Sequence, residues 1–238
     1  MKKNNSWGWS SRVMGALGVV LMGGLLCGCT STYQARKAKT SGFLVDYSQL
    51  RPGQGDEALL VYVSPVADFR RYGKIMMDPV RVYGTRGSAL AKLPGADLQR
   101  LANYLDATLR ATLAADYALV NTPGPDVMRL RVAITEAKGA KVALDTFSTL
   151  MPMSLAVSEV KNLATGSHTA VGSVGVECEG LDSQTQARLF AAVDERVGRK
   201  VTGKFDKFEK WRTAADAFDY WAQRLQNRLR EERGGNIR

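Results

Sequence analysis

The chain has 238 residues and a formal net charge of +10, with three cysteines and one histidine. That is too few Cys and His for a disulfide-stapled scaffold or a multi-ligand zinc site, so stability must come from an ordinary hydrophobic core. The basic residues are dispersed, apart from Arg36, Lys37 and Lys39 and the C-terminal stretch.

Lys2, Lys3 and Arg12 stand at the start, and an uncharged apolar run follows from Val13 to Leu26. As a helix this run spans roughly 21 Å, short of the roughly 30 Å hydrocarbon core of a bilayer. A positive start with a short apolar stretch predicts a cleavable secretory signal over residues 1–28, not a transmembrane helix. The run ends in Leu26, Cys27, Gly28 and Cys29, which resembles a bacterial lipobox: a small residue directly before a cysteine. The resemblance implies cleavage between Gly28 and Cys29 and acylation of Cys29, so the N-terminus is expected to hold the chain to a membrane. Cys27 departs from the small or β-branched residue usual at its position. It fits less well as the acylated residue, because Leu26 would stand where a small residue is needed. The alternative is a secreted protein cut at the same place without lipid. Thr30, rather than Asp, after the anchor resembles the default for transfer to the outer membrane, facing the periplasm.

Export excludes nucleic acid as a partner despite a sequence pI near 9.6. Residues 1–28 hold three basic residues and no acidic one, so the charge falls from +10 to +7 in the mature chain. Loss of Cys27 and acylation of Cys29 leave only Cys178, so no intramolecular disulfide can form.

Residues 29–41 are polar without an apolar period, and read as a lipid-anchored flexible tether reaching at most about 40 Å. Arg36, Lys37 and Lys39 within it either stay solvated, the preferred reading, or touch anionic head groups. A single domain is expected over 42–238, long enough for one core, with a disordered tail at 233–238. Ala58 to Val63 reads as a strand. Lys74 to Tyr83 is extended but contains Pro79, which predicts an edge strand, a bulge or two short pieces. Leu98, Leu101, Leu105, Leu109 and Leu113 recur at helical spacing and predict a helix from Asp97 to Tyr117. Asn121 to Pro125 marks a loop after a short extended segment. Met128, Leu130, Val132 and Ile134 then alternate with Arg129, Arg131 and Ala133, the pattern of a half-buried strand with one wet face.

From Gly172 to Leu181, Val174, Val176 and Cys178 alternate with Glu177 and Glu179. Asp182 to Gln186 reads as a turn, and Ala187, Leu189, Ala191 and Val193 return on one face, predicting an antiparallel hairpin. Cys178 on the apolar side is expected to be a small buried hydrophobe, not a nucleophile. A helix is expected from about Asp206 to Glu232, with one seam of Phe208, Trp211, Ala215, Phe218, Ala222, Leu225 and Leu229. Laying that seam across the sheet is preferred to a coiled-coil contact, since aromatics and alanines are poor zipper residues. The fold class expected is α+β: one domain, a mixed or antiparallel sheet, a central helix and a long C-terminal helix packed on one face.

Four segments carry a family resemblance: Gly42 to Leu50, Tyr72 to Val80, Pro123 to Pro125 before Leu130 to Ile134, and Glu177 to Glu179 leading into Leu181 to Thr185. In this order they resemble the domain of unknown function 3313 family (DUF3313) of bacterial lipoproteins. The resemblance implies an exported α+β domain and brings no activity and no catalytic residues.

Chemistry has few candidates. His168 sits in a loop-like stretch, and no Gly-x-Ser-x-Gly elbow presents a serine to it. No Walker loop or dinucleotide fingerprint occurs. Glu177 and Glu179 share a strand face with Asp182 close behind. They are read as the wet face of that strand, near Arg129 or Arg131, rather than as a cation site or acid/base pair. No catalytic residue, metal or cofactor is therefore assigned. The least ordinary stretch is Val142 to Leu163, where Phe147, Leu150, Met151, Met153 and Leu155 form either a core connection, the preferred reading, or an apolar surface for a partner or ligand. The function expected is a non-enzymatic accessory, adaptor or scaffold with a protein partner in the envelope; the alternative is a small apolar-ligand or lipid-binding domain.

Overall fold

The computed structural model describes residues 32–37, 39–85, 87–138, 172–198 and 208–234, with side chains of the last stretch described from Thr213 onward. Gly28, Cys29, His168 and the stretch carrying Phe147, Leu150, Met151, Met153 and Leu155 lie outside the described residues, as do the side chains of Phe208 and Trp211. In chain order the elements are β1 (Thr32–Gln34), β2 (Arg51–Pro52), β3 (Leu60–Val63), β4 (Lys74–Met77), β5 (Arg81–Val82), α1 (Gly95–Leu113), β6 (Ala118–Val120), β7 (Val127–Lys138), β8 (Ser173–Asp182), β9 (Arg188–Gly198) and α2 (Phe208–Gly234).

The strands make one mixed sheet in the order β2-β3-β9-β8-β7-β4-β6, with β1 also on β9 and β5 also on β7. The three strands expected from alternation, β7, β8 and β9, form its antiparallel centre. β4 and β5 pair with β7 in parallel, and β6 pairs with β4 in parallel. Pro79 explains the break between β4 and β5: it has no N–H to give the ladder. The hairpin turn is built by Asp182, whose Oδ1 accepts from the backbone N–H of Gln184 at 3.0 Å and Thr185 at 2.8 Å.

Both helices lie on one face. Leu101, Leu105, Leu109 and Leu113 of α1 are all buried there, against Ile75, Leu130 and Val132 among others. The helix ends at Leu113 rather than Tyr117, and residues 114–116 turn the chain into β6. α2 packs on α1 as well as on the sheet. Its buried face is therefore wider than one seam: Ala214, Ala217 and Trp221 are buried beside Phe218, Ala222 and Leu229. The helix runs through Gly234, so Arg233 and Gly234 belong to it and not to a tail.

The opposite face is covered by chain as well. Phe43 and Leu44 pack there on Ala133, Ala191 and Val193. This overturns the expected placement of Leu189 with Ala191 and Val193. A register shift between Gly180 and Leu181 puts Leu189 and Phe190 in the helix-side core and leaves Ala191 and Val193 on the other face, as an extra residue in a strand must. Gly180 admits this arrangement: a Cβ there would lie 2.1 Å from the Phe190 ring.

The stretch expected as a flexible tether is also different. Thr32–Gln34 is strand β1, antiparallel to Arg196–Gly198, and Thr32 is 1% exposed. Hydrogen bonds to β9 hold a segment that carries no apolar period of its own.

Candidate functional site

Glu177 and Glu179, singled out by sequence, share one face of β8, but that face is dry, and Asp182 stands in register with Met128 on the opposite, helix-side face. Glu177 is 0% and Glu179 2% exposed. Alternation separates two faces of a strand without saying which is wet, and here the segment 41–50 covers the face expected to be solvated. Glu177 accepts from the Ser41 N–H and the Tyr47 hydroxyl, each at 2.6 Å. Burial, and then the hydrogen bond to Glu177, push the Tyr47 phenol above its ordinary value. Glu179 is paired with Arg131, as the expected strand adjacency implied, and also with Arg188 at 3.0 Å. Arg131 lies over the Phe43 ring at 5.0 Å, and Arg188 donates to the Asp46 carbonyl at 2.7 Å. Asp182 accepts from the Tyr72 hydroxyl at 2.8 Å. Burial works to raise its carboxyl, but the bonds from Thr185, Tyr72 and Gln184 outweigh it and hold it low. Burial and Asp182 in turn push Tyr72 up to about 12. These groups cross-link the fold, and among the described residues no group of three or more acidic, Cys or His side chains could hold a metal ion.

An opening of different character lies on the helix side. A cleft of about 150 Å³ runs between α2 and the β3–β9 side of the sheet. Its walls include Val61, Leu109, Val176, Phe190, Ala192 and Leu229. Cys178 is also in the wall, and burial pushes its thiol up to about 12. It is therefore a neutral thiol at physiological pH, on the apolar side as expected but half-buried rather than buried, in the wall of the cleft. Asp194 stands at the polar end of the cleft, where Oδ2 accepts from Trp221 Nε1 at 2.8 Å. Its Oδ1 accepts from Gln34 Nε2 at 2.9 Å and the Leu59 N–H at 3.3 Å. Burial raises this carboxyl above the ordinary range, against the pull of those bonds and of Arg196. At the mouth, Asp56 in the β2–β3 turn is paired with both Arg224 and Arg228 of α2, so the turn is strapped across the opening. Val63 in the cleft wall is 41% exposed, and Val66, three residues on, is 90% exposed.

Sequence reasoning placed Cys178 on the apolar side of its strand without a cleft, and missed Asp194, Trp221 and the strap. A signal for Trp221 existed: Ala214, Ala217 and Trp221 make a second apolar stripe beside the seam, and two stripes mean a helix buried on two sides. Nothing local distinguished Asp56 or Asp194, whose partners lie 168 and 27 residues away.

The family profile described as protein of unknown function (DUF3313) matches residues 39–225. Among curated proteins none matches this chain. Among solved structures, a PelC dodecamer from Paraburkholderia phytofirmans is similar at 18% identity and a TM-score of 0.36, over 70% of this chain and 95% of that one. A DUF4136 family protein from Bacteroides thetaiotaomicron is similar at 10% identity and a TM-score of 0.32, over 70% of this chain and 95% of that one. At these scores neither similarity carries a conclusion about this chain.

Proposed function

Because the chain belongs to the family described as protein of unknown function (DUF3313), which brings no activity with it, we propose a role from its own residues. It is a non-enzymatic accessory or adaptor domain of a lipoprotein, acylated at Cys29 and held at the outer membrane facing the periplasm. Its cleft receives an apolar side chain from a protein partner. The cleft is the observation that supports this reading. Its volume of about 150 Å³ is that of a void able to hold one benzene ring. That suits a single Phe or Leu side chain, and is well below the roughly 300–1,000 Å³ of a small-molecule pocket. Val63 extends the apolar wall to the surface, where a partner rather than an enclosed ligand would cover it. In this reading the carboxylates on β8 serve as structural cross-links, each held by named donors.

The test is to fill the cleft. Ala192→Leu places extra volume where Ala192 lines the wall, and cavity filling commonly leaves stability intact or improved. Photo-crosslinking in intact envelopes should yield a defined protein adduct with the parent. The same adduct should weaken about tenfold or more with the variant, the effect of losing a buried anchor. An extractable amphiphile that leaves with the variant would favour the apolar-ligand reading instead. An adduct that the variant leaves unchanged means the cleft is not the site.

A further inference from the structure

The edge of the sheet beside the cleft is incompletely paired. The Ser64 N–H donates to the Leu189 carbonyl at 2.8 Å. In the register of β3 on β9, Leu60, Tyr62 and Ser64 therefore turn their backbone groups to β9, and Val61 and Val63 turn theirs to the outer side. β2 takes up those of Val61, opposite Arg51, and stops there. The chain before Arg51 leaves the edge: the Leu50 N–H donates back to the Tyr47 carbonyl at 3.0 Å, and both residues pack on the other face of the sheet. The Val63 N–H and carbonyl thus have no backbone partner among the described residues. Pro65, without an N–H, keeps this free edge short. Two further features share the corner, which lies towards the hairpin turn: Val63 is opposite Phe190, and Phe190 opposite Gly180. Val63 lines the cleft mouth and is 41% exposed. Glu232 of α2 lines the same mouth, half-buried, and makes no ion pair among the described residues. Burial holds its carboxyl above the ordinary range against the pull of Arg228, and Arg228 is committed to Asp56 and Glu231.

We propose that the partner is an extended segment, added to the sheet as one more strand beside β3, with an apolar side chain in the cleft and a Lys or Arg on Glu232. This rests on the reading of the cleft as a partner site and names the partner's chemistry. The residue opposite Val63 exchanges two backbone hydrogen bonds with it, the bonds that the sheet's own strands leave unmade. Directly opposed residues of neighbouring strands point to the same face. The side chain opposite Val63 therefore enters the cleft that Val63 lines. The side chain two residues along the added strand returns to that face, beside the α2 rim, where Glu232 lacks a cation. A helical partner could fill the cleft with a side chain but could not pair with Val63, because its backbone groups are bonded internally.

The test titrates the full chain, in phosphatidylcholine vesicles, against a fluorescent synthetic strand peptide of about ten residues. The peptide alternates Thr and Val, with a Leu at its centre and a Lys two residues on. Methylating the Leu backbone nitrogen removes the N–H aimed at Val63 and should weaken binding about tenfold. Methylating the next nitrogen, which points away from the edge, should leave binding nearly unchanged. Exchanging the peptide Lys for Glu should weaken binding several-fold, and Glu232→Lys should reverse that preference. Failure to bind by about 1 mM, equal effects of the two methylations, or a Lys preference that survives Glu232→Lys overturns the added strand. The cleft is read separately, by the envelope adduct of Ala192→Leu. An adduct lost in that variant, with the peptide results failing, leaves the cleft reading standing and removes only the strand. An adduct indifferent to Ala192→Leu fails the cleft, and the strand proposal falls with it.

Discussion

Asp194 is the residue on which three elements converge: Gln34 of β1, Leu59 before β3 and Trp221 of α2 all donate to its carboxylate. Such an acid has a definite sign in its pH dependence. Burial raises its folded pKa, so its ionisation costs stability. That cost is full above the folded pKa and disappears as pH falls through it to the unfolded value of about 3.9. Trp221→Phe removes one donor and should raise the carboxyl further. We expect a loss of about 1.5–3 kcal/mol near neutral pH, typical of a hydrogen bond to a charged group. Urea melts of parent and variant should draw together on acidification to well below the unfolded value of about 3.9, where the carboxyl is neutral in both states. A loss that stays constant with pH would mean ring packing, not the bond, had been removed. Individual residues were the least legible scale in the sequence. Glu177 and Glu179 were correctly placed on one face, and of the two arginines expected near them Arg131 pairs with Glu179 while Arg129 pairs with Asp78. The burial of the two glutamates was not visible, because it is imposed by Phe43, Leu44 and Tyr47 from more than a hundred residues away.

Elements were read more faithfully, since apolar period is a local property. The leucines of α1 and the hairpin of β8 and β9 are where they were expected, and Pro79 divides its strand into two short pieces. The faces of long elements were harder. α2 showed one seam in sequence and buries two, because it meets α1 as well as the sheet. Phe218 belongs to both descriptions. It is 0% exposed, with ring centroids 5.9 Å from Tyr104 and 6.1 Å from Trp221. Phe218→Ala should cost about 3–5 kcal/mol and lower the melting temperature by roughly 6–20 °C. A variant that melts like the parent would show that α2 does not belong to the domain's own core. The strap across the cleft should behave oppositely. Asp56 is 63% exposed in its side chain, so Asp56→Ala should cost less than about 1 kcal/mol. It should nevertheless raise the binding of an environment-sensitive apolar dye several-fold, by freeing the β2–β3 turn from α2. Unchanged dye fluorescence would mean the turn does not close the cleft.

At the scale of the whole molecule, the α+β class with helices on one face was legible, and the covering of the second face was not. The reason is the same at β1 and at segment 41–50. These stretches have no period of their own and acquire structure from the backbone and carboxylates of β8 and β9. That pairing has a consequence in time. Thr32 pairs with Gly198, 166 residues later, so β1 has no place to bind until β9 exists. A chain delivered N-terminus first must wait, with its opening residues unpaired, for nearly all of the remainder to arrive. Contacts this far apart in sequence also form slowly, on the order of milliseconds to seconds even in small domains. Closure of β1 onto β9 therefore cannot precede the arrival of Arg196–Gly198.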